Sequence, residues 1–244
     1  MRILQLNAWT GRIKGGILKF LQENTFDIIC LQEAVWTDGD GRELEYFFAS
    51  VRQMKEAAGL DYEVKASNWG VTLQGEKIEQ GNVILSKEPF VETEVRELCG
   101  DYGHRTMSPQ ENNDQLYTAI KAKLKNGLTI FNYHGFWEPD PIGDQRTVEA
   151  MRKAVTMIQD VEGPLIMCGD LNVNYESPAM RELDFLTDLT HTHNVKNTLA
   201  GLKFAGAVAC DHILVNEHVK TSRFKVHPEI VSDHLALSTD FTIH

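Results

Sequence analysis

The chain has 244 residues, 42% hydrophobic and 24% charged, an ordinary globular balance that excludes intrinsic disorder. Its 24 Lys and Arg against 35 Asp and Glu leave a formal net charge of −11. That excludes the overall basic footprint of a non-specific nucleic-acid binder, while a local basic groove or a substrate held through cations stays open. Apolar runs are strand-sized, far short of the roughly 20 residues of a membrane helix, so membrane insertion is not expected. Gln5 and Asn7 interrupt Ile3, Leu4 and Leu6, which is not a secretory pattern. Cys30, Cys99, Cys168 and Cys210 lack CxxC or Cys/His zinc spacing. Three of them lie in apolar, strand-like runs, so the reading is of buried reduced thiols and a cytoplasmic chain.

The elements follow in chain order. Arg2 to Leu6 reads as a strand, and Ile13, Ile17, Leu18 and Leu21 share one helical face. Asp27 to Leu31 predicts a buried strand, and Arg42 to Ala58 one helix ending near Gly59. Tyr62 to Ala66, Asn82 to Ser86 and Phe90 to Leu98 predict strands. Leu116 to Leu124 and Leu128 to Tyr133 flank the hairpin turn Asn126-Gly127. Val148, Met151, Ala154, Val155 and Ile158 mark a further helix, and Leu165 to Cys168 a strand entering Gly169-Asp170. Ile213 to Val215, Arg223 to Val226 and Leu235 to Phe241 complete the strands. With no repeat or linker, the whole of 1–244 reads as one domain. Hairpins mixed with strand–helix units predict an α/β (α+β) sandwich of two mixed β-sheets with helices outside.

Polar signals recur at the ends of apolar strands: Asn7, Glu33, His134, Gly169-Asp170-Leu171-Asn172, and the dipeptides Asp211-His212 and Asp233-His234. A strand end fixes the backbone while the side chain reaches the surface, which suits a catalytic group. Each signal alone also reads as a turn, cap or satisfied core residue. The local readings do not explain why all of them occur together, each closing an apolar run.

Leu4-Gln5-Leu6-Asn7, Gly-Asp-Leu-Asn-Val, Asp-His-Ile-Leu-Val and Ser-Asp-His-Leu-Ala-Leu together resemble the endonuclease/exonuclease/phosphatase superfamily, from Leu4 to His234. The resemblance implies a four-layer αββα sandwich and hydrolysis of a phosphoester. Such chemistry needs a cation, an oriented water and a stabilised leaving oxygen. Mg²⁺ is the expected ion, since it prefers one or two carboxylates and other hard oxygens; Mn²⁺ accepts the same set. Glu33 is the first choice of ligand, with Asn7 offering a carbonyl oxygen and Asp233 completing the cluster. The resemblance makes Asp170 the orienter or base for water. If the segment is locally extended, Asn172 projects to the same side as Asp170. It also implies that His234 faces the phosphoryl oxygens, paired with Asp211, and that His134 contacts phosphate. His212 is the weaker histidine of the two dipeptides.

Asn82, in Gly-Asn-Val-Ile-Leu-Ser, either orients His134 or touches phosphate. Arg146 either clamps an anion or is an exposed helix arginine. Trp9, Trp36, Trp69 and Trp137 read as cleft aromatics or as ordinary packing. Lys121, Lys123 and Lys125 read as a solvated edge, and His191-Thr192-His193 only superficially as a metal pair. The function expected first is a nuclease-type phosphodiesterase acting on DNA or RNA, with no obligate protein partner. A small-molecule or lipid-headgroup phosphoesterase is the enzymatic rival, and a catalytically silent binding module the other.

Overall fold

The computed structural model describes residues 1–73, 75–105, 115–201 and 207–244. β1 (Arg2–Asn7) runs parallel to β2 (Ile28–Thr37), joined by a 3-10 turn at Trp9–Gly11 and by α1 (Lys14–Glu23). The chain continues through α2 (Arg42–Phe47), α3 (Val51–Ala58), β3 (Tyr62–Leu73), β4 (Glu76–Ser86), β5 (Phe90–Cys99) and β6 (Gly103–Arg105). Then come β7 (Tyr117–Leu124), β8 (Thr129–Tyr133), α4 (Gln145–Val155), β9 (Leu165–Asp170) and a 3-10 helix at Pro178–Leu183. β10 (Thr187–Asp188), α5 (Leu189–Thr192), β11 (Asp211–Val215), β12 (Val219–Val226) and β13 (Leu237–Ile243) follow.

Among the described residues these strands make a seven-stranded sheet, β12-β13-β1-β2-β4-β3-β6, and a six-stranded sheet, β10-β11-β9-β8-β7-β5. Both are mixed: β1–β2 and β8–β9 are parallel, their other neighbours antiparallel. The period-2 alternation of each strand sorts its side chains into layers. Leu4, Leu6, Ile29 and Leu31 pack outward with Ile17, Leu21 and Met54 of α1 and α3. Ile3, Ile28, Cys30, Ile130, Ile166, Cys168 and Ile213 fill the seam between the sheets. Phe131, Tyr133, Met167 and Leu214 pack outward under Met151 and Ala154 of α4 and Leu183. The result is a four-layer sandwich, as the sequence predicts.

Four expectations need correction. Arg42 to Ala58 is not one helix: Phe48 is extended (φ −128°, ψ 155°), and Ser50 caps a new start by accepting from the Gln53 N–H. Gly11 backs onto Ala49, whose N–H donates to the Gly11 carbonyl, and this holds the break open. The strands at Tyr62 and Asn82 are much longer than expected and pair as one hairpin. Their polar outer halves carried no apolar signal. Lys121 and Lys123 lie on an interior strand rather than an edge, opposite Glu94 and Glu92 of β5 in register. The four cysteines are free as expected, but Cys99 is only half-buried. No helix among the described residues is long and apolar enough to cross a membrane.

Candidate active site

The seam between the sheets turns polar at one end. Alternation puts Gln5 and Asn7 of β1 on the same inward face as Ile3, and Asp170 on the inward face of β9. Asn7 spans the seam: its Nδ2 donates to Asp170 Oδ2 at 2.9 Å and to Glu33 Oε1 at 3.1 Å. The two carboxylate oxygens are therefore at most about 6 Å apart. Asn7 Oδ1 accepts from the Trp9 N–H at 3.0 Å. In this orientation the amide braces both carboxylates with its nitrogen, whereas the sequence reading has the carbonyl facing an ion.

Glu33 sits where the β2–β4 register shifts between Leu31 and Ala34, and its φ is +50°. A bulge re-aims a side chain, and a left-handed glutamate is costly enough to need a surrounding structure that enforces it. Asp170 is buried at 1% exposure. Its Oδ2 lies 3.6 Å from Nε2 of both His134 and His234. Burial pushes its pKa up, but His234, His134, the Asn7 amide and the Asn172 N–H outweigh this and hold it below the ordinary carboxylate value.

His234 Nδ1 stands 2.8 Å from Asp211 Oδ2. Burial lowers the imidazole pKa, while Asp211 and then Asp170 raise it, leaving it well above the ordinary histidine value. Asp211 Oδ2 also accepts from Thr198 Oγ1 at 2.7 Å, and Oδ1 from Gln5 Nε2 at 3.3 Å. Asp233 is buried, with Ser232 Oγ donating to its Oδ1 at 3.2 Å. His134 stands edge-on to Tyr117, and its buried Nδ1 has no hydrogen-bond partner among the described residues.

Asn172 departs from the extended geometry expected of it. Its φ is +57°, its N–H donates to Asp170 Oδ1 at 3.0 Å, and its Nδ2 to the Gly135 carbonyl at 2.9 Å. It thus fixes the Asp170 turn against the end of β8. Asn82 is buried but donates to the Thr118 carbonyl at 2.7 Å and to Thr118 Oγ1 at 3.3 Å, not to His134. Arg146 is exposed, with its guanidinium bound by Asp144 at 3.0 Å and by Glu138. His191 stacks on Tyr175 and His193 on Phe224, so each ring has its own aromatic partner. Trp36 is packed in the core.

Several supporting residues escape a sequence reading. Gln5 and Gln32 exchange hydrogen bonds in the seam, and Gln32 donates to Asn132. Polar residues inside apolar strands are a usable signal for these. Thr198 lies in an irregular segment and Asp188 in the two-residue β10, and neither gives one.

Asp170, Cys210, Asp211 and His234 form a buried cluster able to hold a metal ion. Its chemistry fits a hard cation poorly. Burial pushes the Cys210 thiol far up, so it stays protonated, and Asp211 is engaged by His234, Thr198 and Gln5. Carboxylate oxygens such as those of Glu33 and Asp233 are the kind of donor that Mg²⁺ or Mn²⁺ prefers.

Comparison with known proteins follows the same line. The chain resembles an endonuclease/exonuclease/phosphatase from Beutenbergia cavernae at 16% identity and a TM-score of 0.70, covering 100% of this chain and 71% of that one. It resembles a mannosyl-6-phosphatase of Bacteroides thetaiotaomicron at 17% identity and a TM-score of 0.67, covering 100% of both chains. It also resembles the human Nocturnin catalytic domain with bound sulfate, at 16% identity and a TM-score of 0.69, covering 100% of this chain and 93% of that one. At these identities the likeness is one of fold. No curated protein matches the sequence. The family model matches residues 4–234, and on that span the chain belongs to the endonuclease/exonuclease/phosphatase family.

Proposed function

We propose that this protein is a Mg²⁺- or Mn²⁺-dependent phosphoester hydrolase. The observation that carries the reading is the Asn7 bridge. It draws Glu33 of one sheet and Asp170 of the other to within about 6 Å, with two histidines beside Asp170. Ionised carboxylates gathered this closely repel one another, and a cation beside Glu33 offsets that cost. An ion held by Glu33 and Asp233, with Asn7 beside them, would neutralise phosphate charge and polarise the phosphorus centre. Asp170, held ionised and fixed by Asn7 and Asn172, accepts a hydrogen bond from the attacking water and orients it. His234, kept protonated by Asp211, donates to the phosphoryl oxygens as charge builds on them. His134, whose Nε2 lies as close to Asp170 Oδ2 as that of His234, gives a second donor.

A nuclease-type phosphodiester is the first substrate class, from the sequence resemblance. One observation favours the second, a small soluble phosphoester. Affinity for a polynucleotide backbone comes from Lys and Arg that neutralise phosphates. Here Arg146 is bound by Glu138 and Asp144, Lys121 by Glu94, and the chain carries a net charge of −11. The four free cysteines fit an enzyme of the reducing cytoplasm.

The test is hydrolysis of bis-(p-nitrophenyl) phosphate, p-nitrophenyl phosphate and labelled single- and double-stranded DNA, with Mg²⁺, Mn²⁺ or chelator. Metal-dependent turnover that Glu33→Ala and Asp170→Ala lose by orders of magnitude is the expected result. Cleavage of DNA selects the nuclease, and turnover of the small esters alone selects the other substrate class. No turnover and no metal binding by the wild type would leave a silent binding module on this fold.

A further inference from the structure

The outward face of β11 carries a second histidine–aspartate pair. Alternation turns Asp211 into the seam and His212 away from it, and His212 is buried at 1% exposure. Its Nδ1 lies 2.9 Å from Asp188 Oδ2, and its Nε2 lies 3.3 Å from the Val173 carbonyl oxygen. Both neighbours are acceptors, so both ring nitrogens donate.

Each end of this bridge is itself fixed. Asp188 Oδ1 accepts from the Thr190 N–H at 2.9 Å, and Thr190 Oγ1 donates to the Asp211 carbonyl at 3.0 Å. The Asp188 turn therefore grips His212 by its side chain and Asp211 by its backbone. At the other end, Val173 directly follows Asn172, whose φ of +57° is unfavourable for a non-glycine residue. Leu171 N–H donates to the Cys210 carbonyl at 2.7 Å, and Asn172 N–H to Asp170 Oδ1. Val173 is fully buried, so its carbonyl has His212 to answer it where water is excluded.

We propose that His212 is a positioning residue of this site, holding the Asp170–Asn172 turn through the Val173 carbonyl. The catalytic meaning of that role rests on the phosphoesterase reading; the structural part does not. His212 touches no substrate atom. It sets where Asp170 and Asn172 stand, and a displacement of about 1 Å there is enough to cost a hundredfold in rate.

The side chains of Gln and Asn separate this from a general packing role. A Gln amide nitrogen occupies the place of Nε2 and keeps the bond to Val173; an Asn amide nitrogen occupies that of Nδ1 and loses it. Asp188→Asn leaves Nδ1 to accept and Nε2–H still facing Val173. His212→Gln and Asp188→Asn are expected to keep kcat within about threefold, and His212→Asn to lower it roughly 10- to 100-fold with KM little changed. In native-state hydrogen exchange, the Leu171 and Asn172 amides should exchange at least about tenfold faster in His212→Asn but not in His212→Gln, with similar melting temperatures.

Equal kcat in the Asn and Gln variants, or unchanged exchange at Leu171 and Asn172 in His212→Asn, overturns the proposal. If the wild type hydrolyses no phosphoester, the exchange measurement still decides the positioning role while the function falls. If the His212 variants do not fold, the wild-type ring ¹H–¹⁵N spectrum decides. A proton on both nitrogens supports the bridge, and a bare Nε2 overturns it.

Discussion

Oδ2 of Asp211 and Nδ1 of His234 stand 2.8 Å apart with both residues buried, and Thr198 Oγ1 donates to the same carboxylate oxygen. The aspartate thereby gathers several donors on one oxygen and fixes which ring nitrogen points at Asp170. Asp211→Asn keeps the shape and the acceptor for Thr198 but removes the charge. It is expected to lower kcat on p-nitrophenyl esters roughly a hundredfold while KM changes only a few-fold. Steady-state kinetics check this, and a matching rise in KM would point instead to lost ground-state binding.

Glu33 and Asp233 predict a stabilising cation. At a cation concentration about 100 times its Kd the folded state gains roughly 2.7 kcal/mol. For a protein of this size that is a rise of about 5–10 °C in Tm. Thermal melts with Mg²⁺, Mn²⁺ and chelator should show the shift in the wild type and little of it in Glu33→Ala.

His227 predicts an acid-labile core. Its ring is fully buried, edge-on to Phe20 and Phe26, with Nε2 2.8 Å from Ser238 Oγ. Burial, with Lys225 nearby, lowers its pKa to about 4. The unfolded chain therefore binds this proton first, so stability is unaffected above about pH 6.5, falls as pH drops, and levels off below about pH 4. Between pH 7.5 and 5 the loss is about 2 kcal/mol. His212 and His234, whose pKa values are raised in the folded chain, act in the opposite direction over this range, so the His227 loss is read as the difference between wild type and His227→Phe in denaturant titrations at the two pH values.

Gly135 predicts a coupling of backbone and activity. Added at this position, a Cβ would meet the Leu171 carbonyl oxygen at 2.1 Å. Gly135→Ala must push the end of β8 from the Asp170 turn and pull the Gly135 carbonyl from Asn172. A stability loss on the order of 2–3 kcal/mol is expected. The drop in kcat, measured well below the melting temperature, should exceed that of an equally destabilising change in the α1 layer.

Much of the architecture is legible in the sequence, because period 2 and period 3.6 are imposed by which face each element buries. Ile3, Gln5 and Asn7 read as one face from alternation alone, and so do Cys168 and Asp170. Polar side chains that close apolar runs are legible for the same reason, since nothing in a core asks for them. What stays hidden depends on contacts distant in sequence. Thr198 reaches Asp211, and Asn7 turns its nitrogen rather than its oxygen to the carboxylates, through packing that no local pattern encodes. The break at Phe48 is similar: the helical pattern runs through it, and the approach of Gly11 decides otherwise. The left-handed turn at Asn172 replaces an extended segment because three hydrogen bonds around it outweigh the backbone preference.

The pairing of β1 with β13 sets an order of events during synthesis. Gln5 of the first strand lies opposite Leu237, and Asp233 and His234 immediately precede that strand. A nascent chain on the ribosome thus carries Asn7 and Glu33 for most of its elongation, and His134 and Asp170 for the later part of it, without the segment that stands beside them. Until residues 233–243 emerge and dock beside β1, that strand has an open edge and the cleft lacks one wall. On the proposed function, a product arrested before Ser232 would lack Asp233 and His234 and be inert however well its earlier layers had formed.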